Sequence, residues 1–130
     1  MRKSGARHVG REYALRVLYS HEIQRKAGVD PLPPTPNWWS AEDNLSVMRD
    51  AEQFAKALYQ GVESEQEQID EILTRHSQNW RLVRMPYIDR NILRLSVYEL
   101  RHYKDTAASI ILDEAVELAK CYGTQESARF

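Results

Sequence analysis

Apolar side chains recur at intervals of three and four residues along most of the chain, which is the period of one face of an α-helix. In the first segment this spacing predicts a helix from about Val9 to Lys26, and Gly28 is a suitable stop. Its inward stripe comprises Tyr13, Ala14, Val17, Leu18 and His21. Because the alternation typical of β-strands is hard to find, the pattern predicts an all-α domain.

Two further helices are predicted in the middle of the chain. The first takes Ser40 as its N-cap, and Gly61 is expected to end it. Its inward positions are Val47, Ala51, Phe54, Ala55 and Leu58. The second runs from about Ser64 to His76 and turns Ile69, Ile72 and Leu73 inward. Its exterior is strongly acidic, with Glu63, Glu65, Glu67, Asp70 and Glu71.

The last two predicted helices occupy the C-terminal third. Pro86 suits the first position of a helix whose inward side chains are Ile88, Ile92, Leu95 and Tyr98. Asp105 or Thr106 is expected to cap the final helix, and Gly123 suits the position just after its end. The inward positions of that helix are Ala108, Ile111, Ala115, Leu118, Ala119 and Tyr122.

A Pro-rich stretch, residues 29–38, separates the first two predicted helices. Its four prolines cannot continue a helix and favour extended backbone, so a stiff connector is the preferred interpretation. A Pro-rich ligand for a partner domain stays open as the alternative. Residues 1–10 are predicted to form a flexible basic arm. The length of 130 residues suits a single domain spanning residues 1–130.

The composition narrows the setting in which the chain works. Cys121 is the only cysteine, so the chain forms no internal disulfide and a reducing compartment is expected. No apolar run approaches the roughly 18 to 20 residues that span a bilayer, and the N-terminus lacks the apolar core of a signal peptide. A cytoplasmic protein without membrane association is therefore expected.

Charge is unevenly distributed along the chain. The first 26 residues carry seven Lys or Arg and two Glu, whereas residues 27–130 carry 11 basic and 17 acidic side chains. A cationic segment on an acidic body attracts polyanions, because neutralising phosphates releases condensed counterions. Charge alone is equally consistent with a solvated N-terminus that binds nothing.

Neither catalysis nor metal binding is indicated by the residue pattern. His8, His21, His76 and His102 are scattered without ligand spacing to Cys121. Asp113, Glu114 and Glu117 are carboxylates at helical spacing, but a solvated helix face explains them better than a general acid/base pair. Phosphate-binding and nucleophile motifs are absent from the sequence, so no cofactor, no metal and no enzymatic activity are expected.

A nucleic-acid site is the better-supported alternative. Arg7 and Arg11 are four residues apart and share one face near the start of the first helix. His8 lies beside them, and Lys3 extends the basic patch towards the N-terminus. A helix N-terminus adds free N–H groups and a positive dipole, which suit phosphate oxygens.

Several segments together resemble the NusB family of transcription antitermination proteins. The segment Arg11–Tyr19 (REYALRVLY) is similar to the family's opening helix. Asp89–Leu100 (DRNILRLSVYEL) resembles its central helix, and Ile110–Lys120 (IILDEAVELAK) resembles its INEAVELAK helix. Tyr122 and Gly123, followed by Ser127 and Phe130, fit the segment that comes next. The resemblance covers nearly the whole chain.

This resemblance implies a non-enzymatic RNA-binding protein of two small helical bundles packed together. It implies binding of single-stranded boxA-like RNA together with NusE, a small-subunit ribosomal protein, in an RNA polymerase antitermination complex that supports rRNA synthesis. Carried over by position, the RNA-binding residues are Lys3, Arg7, His8, Arg11, Glu126, Arg129 and Phe130. The partner-binding residues are Tyr19, Ile23 and Asp89.

Two departures from the family pattern leave questions open. The family usually has Asn where this chain has Asp113, and a further helix follows the position that matches Phe130. Without that last helix apolar surface would be exposed, so homodimerisation stays open. Two other functions also stay open: the RNA-binding accessory domain of an rRNA cytosine methyltransferase, and a helical adaptor that binds only proteins.

Overall fold

The structure is a computed structural model that describes residues 5–28, 45–76 and 84–122. The regular elements of these ranges are α-helices, which confirms the predicted all-α fold. They are α1 (Ala6–Lys26), α2 (Leu45–Ser64), α3 (Gln66–His76), α4 (Tyr87–His102) and α5 (Ala108–Tyr122). The predicted N-cap Ser40, the Pro-rich connector and Gly123 lie outside the described residues.

The chain divides into two compact units, Met1–Tyr59 and Gln60–Phe130. In the first unit, α1 begins at Ala6, three residues before the predicted start, so residues 6–10 are helical rather than part of a flexible arm. All five residues of the predicted inward stripe of α1 are buried. Ala27 is the C-cap of the helix, and Gly28 follows it with φ +78°, the left-handed conformation in which glycine avoids a Cβ clash.

The core of the first unit brings α1 against the first part of α2. Ala51 and Ala55 are fully buried, and a Cβ added at Gly10 would lie only 3.0 Å from the carbonyl oxygen of Ala51. The buried His21 ring meets the Tyr59 ring edge-on, with 6.2 Å between centroids. Small residues therefore let the two helices approach closely at one end, while aromatic rings fill the space further along.

The predicted end of α2 at Gly61 is wrong, because the helix continues to Ser64. A Cβ added at Gly61 would overlap the ring of Tyr98 in α4, so this glycine serves packing rather than termination. Glu65 then separates α2 from α3, and its N–H donates to the Gly61 carbonyl oxygen over 3.0 Å.

In the second unit, α4 packs against both α3 and α5. The core side chains of the second unit are Val62, Ile69, Leu73, Met85, Ile92, Leu95, Ile111, Leu118 and Ala119. Predicted inward residues Ile72, Ile88, Tyr98, Ala115 and Tyr122 are half-buried. Most predicted apolar positions of this unit therefore face its interior, as the helical spacing requires.

An acidic side chain before α3 anchors the end of α4. The carboxylate of Glu65 lies 2.8 Å from His102 Nε2 and 3.3 Å from Arg101 Nη1. The His102 ring in turn packs on Tyr98, with 4.5 Å between centroids. The last turn of α4 is thus tied to the residue that precedes α3.

The exposure of α5 departs from its predicted face in two places. Ala108 is exposed although it was predicted to point inward, and Glu114 is buried although the acidic residues were predicted to form a solvated face. Asp113 and Glu117 are exposed as predicted. Three large apolar side chains of α5 are also exposed, namely Ile110, Leu112 and Val116. Within the described ranges, the helices lack the combination of length and apolar character required to cross a bilayer.

Candidate nucleic-acid interface

The start of α1 is an electropositive helix terminus. Gly5 precedes the helix in an extended conformation, and the Val9 N–H donates the first helical hydrogen bond to the Gly5 carbonyl oxygen over 3.1 Å. The first turn contains no acidic residue, while Arg7 lies in it. The helix dipole at this end is therefore reinforced by a cation rather than neutralised, which favours an anionic ligand.

The two arginines predicted to share a face do so, but their burial differs sharply. Arg7 is exposed, whereas Arg11 is only 4% exposed. Both guanidinium groups lie over the ring of Phe54 in α2, with Cζ to ring-centroid distances of 4.9 Å for Arg7 and 5.5 Å for Arg11. Such cation–π contacts are stronger when the cation is desolvated, so Arg11 contributes to the core of the first unit.

His8 is held by a carboxylate in the next turn. Its Nε2 lies 2.9 Å from Glu12 Oε1, and both side chains are about one-quarter exposed. The predicted basic patch therefore includes one acidic neighbour within a turn of its arginines. Arg7 is the described member of the predicted RNA set that combines a permanent charge with an exposed side chain.

Four members of the predicted RNA-binding set lie outside the described residues. They are Lys3, Glu126, Arg129 and Phe130. For these four residues, as for Arg7, His8 and Arg11, an RNA contact stays a prediction.

Two predicted partner-binding residues form an exposed stripe on α1. Tyr19 is 39% exposed and Ile23 is 41% exposed, and their four-residue spacing places them on one face. Beside them, Gln24 Nε2 donates a hydrogen bond to Ser20 Oγ over 2.8 Å. Large apolar groups exposed together on a helix are typical of protein interaction surfaces.

The third predicted partner residue, Asp89, belongs to the second unit. It lies in the first turn of α4 and is only 7% exposed. An acidic side chain in the first turn complements the dipole of its own helix, which gives Asp89 a structural role whether or not a partner touches it.

Phe54 is the functional candidate that the sequence did not reveal. Its spacing placed it in the apolar stripe of α2, where a core aromatic is the ordinary interpretation. Contact with two arginines of α1 depends on how the helices pack, and no local sequence signal reports that. Among the described residues, no group of three or more His, Cys, Asp or Glu side chains is arranged to hold a metal ion.

Comparison with known proteins gives consistent matches. The model of the NusB family matches residues 8–130. The transcription antitermination protein NusB of Myxococcus xanthus is 43% identical over 126 residues, covering 97% of this chain and 89% of that protein. The protein of the same name from Trichlorobacter lovleyi is 36% identical, covering 97% of this chain and 84% of its own length.

A solved structure agrees with these sequence matches. The structure of NusB from T. maritima superposes with a TM-score of 0.73 at 28% sequence identity. It covers 100% of this chain and 86% of the T. maritima chain. This likeness agrees with the all-α fold of the described residues.

Proposed function

The chain belongs to the NusB family, and from that premise we propose that it is a transcription antitermination factor that binds boxA-type RNA of nascent rRNA transcripts together with NusE. It acts in the cytoplasm as part of the RNA polymerase antitermination complex and supports processive rRNA transcription. Its role is to bind RNA and NusE and to assemble the antitermination complex, without enzymatic activity or a cofactor. Curated relatives carry the name transcription antitermination protein NusB, which supports this role.

The observation that carries the proposal is the exposed Arg7 at an acid-free helix start. The N–H groups of the first turn, the helix dipole and a permanent cation converge there, and each favours a phosphate backbone. Arg11 supports this surface from within the first unit. Lys3, His8, Glu126, Arg129 and Phe130 are proposed as further RNA-binding residues on the strength of the family resemblance alone.

The exposed stripe of Tyr19 and Ile23 is the proposed contact for NusE. An aromatic ring and a branched aliphatic side chain supply apolar area, and the Tyr19 hydroxyl supplies a polar group at its rim. Asp89 is proposed as a further partner residue, although its burial gives it little surface to offer before binding. RNA and protein would then use different parts of α1, near its start and in its C-terminal half.

A binding experiment with two partners tests the proposal. Fluorescence anisotropy of a labelled single-stranded boxA-type RNA is measured with the chain alone and with the NusE-type partner added. When two ligands bind cooperatively, one typically changes the affinity for the other by a factor of about 5 to 150. The partner is therefore expected to raise the affinity for RNA about tenfold. Ile23→Gln should abolish that gain and leave binding of RNA by the chain alone unchanged.

The same experiment distinguishes the alternative functions. A chain that binds the partner and fails to bind RNA under both conditions is a protein-only adaptor, which the exposed Tyr19 and Ile23 would also suit. RNA affinity that is the same with and without the partner contradicts cooperative assembly and leaves only a basic RNA-binding surface.

A further inference from the structure

The ring of Phe54 is a platform shared by two arginines from the neighbouring helix. Arg7 Cζ lies 4.9 Å and Arg11 Cζ lies 5.5 Å from the ring centroid. The Phe54 side chain is half-buried, so its ring belongs partly to the core of the first unit and partly to its surface. One aromatic ring thus connects a buried cation with an exposed one.

The ring packs closely against α1. A Cβ added at Gly10 would lie 2.8 Å from Phe54 Cδ2 and 3.4 Å from Phe54 Cβ, so the backbone of α1 is in close approach there. Ala51, one turn earlier in α2, is fully buried. Phe54 therefore packs closely on α1 at a position where only glycine leaves room for it, and Arg7 rests on a packed ring.

A restrained guanidinium suits a different task from that of a mobile cation. Attraction of a phosphate by charge does not require a restrained side chain, since a mobile lysine also binds phosphate as a point charge. A guanidinium is planar and stacks on unpaired bases, and restraint on a ring lowers the side-chain entropy lost on binding. The contact with Phe54 is therefore better explained by recognition of a flat ligand group than by charge alone.

We propose that Arg7 stacks on an unpaired base of the bound RNA and that Phe54 is the positioning residue that holds Arg7 for this contact. The inference rests on the proposed RNA binding and adds to it the chemical group that Arg7 recognises. Arg11, buried on the same ring, fixes the platform and does not itself reach the base.

A double-mutant cycle between protein and RNA tests the stacking. Arg7→Lys keeps the charge and removes the planar group, and each boxA nucleotide in turn is replaced by an abasic one. Because a stacked base contributes substantially to the affinity of single strands, Arg7→Lys should weaken binding of intact RNA about fivefold or more. At one nucleotide position, the abasic RNA should bind the unsubstituted chain about as weakly as intact RNA binds the Arg7→Lys protein. With that abasic RNA, Arg7→Lys should cause no further loss of affinity.

Variants of the platform complete the test. Phe54→Tyr retains an aromatic face and should retain affinity, whereas Phe54→Leu should lose about as much affinity as Arg7→Lys, with no added loss when the two are combined. Because Arg7 is exposed, Arg7→Lys should leave the fold intact even if Phe54→Leu weakens it. Equal losses from Arg7→Lys on intact RNA and on every abasic RNA overturn the stacking alone. Failure of the unsubstituted chain to bind RNA overturns the proposed function and this inference together.

Discussion

Arg94 in α4 donates two parallel hydrogen bonds to the carboxylate of Asp70 in α3, from Nε to Oδ1 over 2.8 Å and from Nη2 to Oδ2 over 3.0 Å. Its remaining terminal nitrogen, Nη1, donates to Asn91 Oδ1 over 3.0 Å, and Asn91 Nδ2 donates to the Tyr87 carbonyl oxygen. Arg94 is buried, while the Asp70 side chain is 27% exposed. The pair fixes α3 against α4 with a geometry that only a forked guanidinium can provide.

Breaking this pair should be costly. Asp70→Asn keeps the shape of the side chain and removes the charge that compensates the buried Arg94. Loss of one partner of a buried pair costs several kcal/mol, and partial exposure of Asp70 places the expected loss in the free energy of unfolding at about 2 to 4 kcal/mol. Chemical denaturation of both proteins measures the difference.

The matched control is an ion pair on the same helix. Arg75 and Glu71 in α3 approach to 2.6 Å, but their side chains are 70% and 62% exposed. Glu71→Gln should therefore change the free energy of unfolding by no more than about 0.5 kcal/mol. Similar losses for Asp70→Asn and Glu71→Gln would show that burial does not govern the Arg94 pair.

The close approach of Gly61 to Tyr98 leads to a prediction about the sign of a mutation. Gly→Ala inside an exposed helix normally stabilises by roughly 1 kcal/mol. At Gly61 the new methyl group overlaps the Tyr98 ring, so Gly61→Ala should instead lower the free energy of unfolding by about 1 to 3 kcal/mol. Thermal and urea unfolding measure it. The cost should shrink when Tyr98→Leu is added, and a stabilised Gly61→Ala protein would contradict the packing.

Stability should also fall at alkaline pH because of two tyrosines. Burial raises the pKa of Tyr13 above its ordinary 10.0, with Tyr59 and Glu52 adding to the effect. Burial, with a contribution from Glu65, likewise raises the pKa of Tyr98. Below the ordinary pKa both phenols are neutral in the folded and unfolded chain. Above it the unfolded chain loses these protons first, so the free energy of unfolding declines as pH rises through the raised values.

Replacement of the two phenols isolates this effect. The double variant Tyr13→Phe/Tyr98→Phe should show a shallower decline in the free energy of unfolding between about pH 9 and pH 11 than the unsubstituted chain. Urea denaturation across that range, with both proteins compared also at neutral pH, supplies the measurement. Parallel declines for the two proteins would mean that these tyrosines do not cause the alkaline loss.

Helical periodicity predicted the fold well because burial follows spacing. The inward stripe of α1 is buried throughout, and Gly28 ends that helix with positive φ as its position predicted. The prediction that α2 ends at Gly61 was wrong because glycine has two common uses. It ends helices, and it also makes room for a close neighbour inside them. Nothing local to Gly61 distinguishes these two uses, since the neighbour, Tyr98, comes from another helix.

Charged residues on inward positions were the second source of error. Glu114 lies three residues after Ile111 and four before Leu118, so the spacing alone places it on the buried face of α5. Arg11 likewise stands three residues before Ala14 in α1. In both cases the prediction followed the general preference of charged groups for solvent instead of the helical spacing. The structure buries both side chains, as the spacing alone would have indicated.

The candidate site was predictable in outline only. Charge segregation and the family resemblance indicated the start of α1, where Arg7 is exposed. The support from Phe54 could not be predicted, because the pairing of Arg7 and Arg11 with that ring is set by the packing of α1 on α2. The restraint on Arg7 is therefore a property of the folded unit rather than of any sequence motif.

The salt dependence of RNA binding tests most directly whether the start of α1 binds single-stranded RNA. The affinity for boxA-type RNA is measured over a series of salt concentrations for the unsubstituted chain, for Arg7→Ala, and for Arg75→Ala, which removes an equal charge from α3. Arg7→Ala should weaken binding and reduce the slope of log affinity against log salt by about 0.7, while Arg75→Ala should leave both unchanged. An Arg7→Ala protein with the affinity and the slope of the unsubstituted chain would contradict the account.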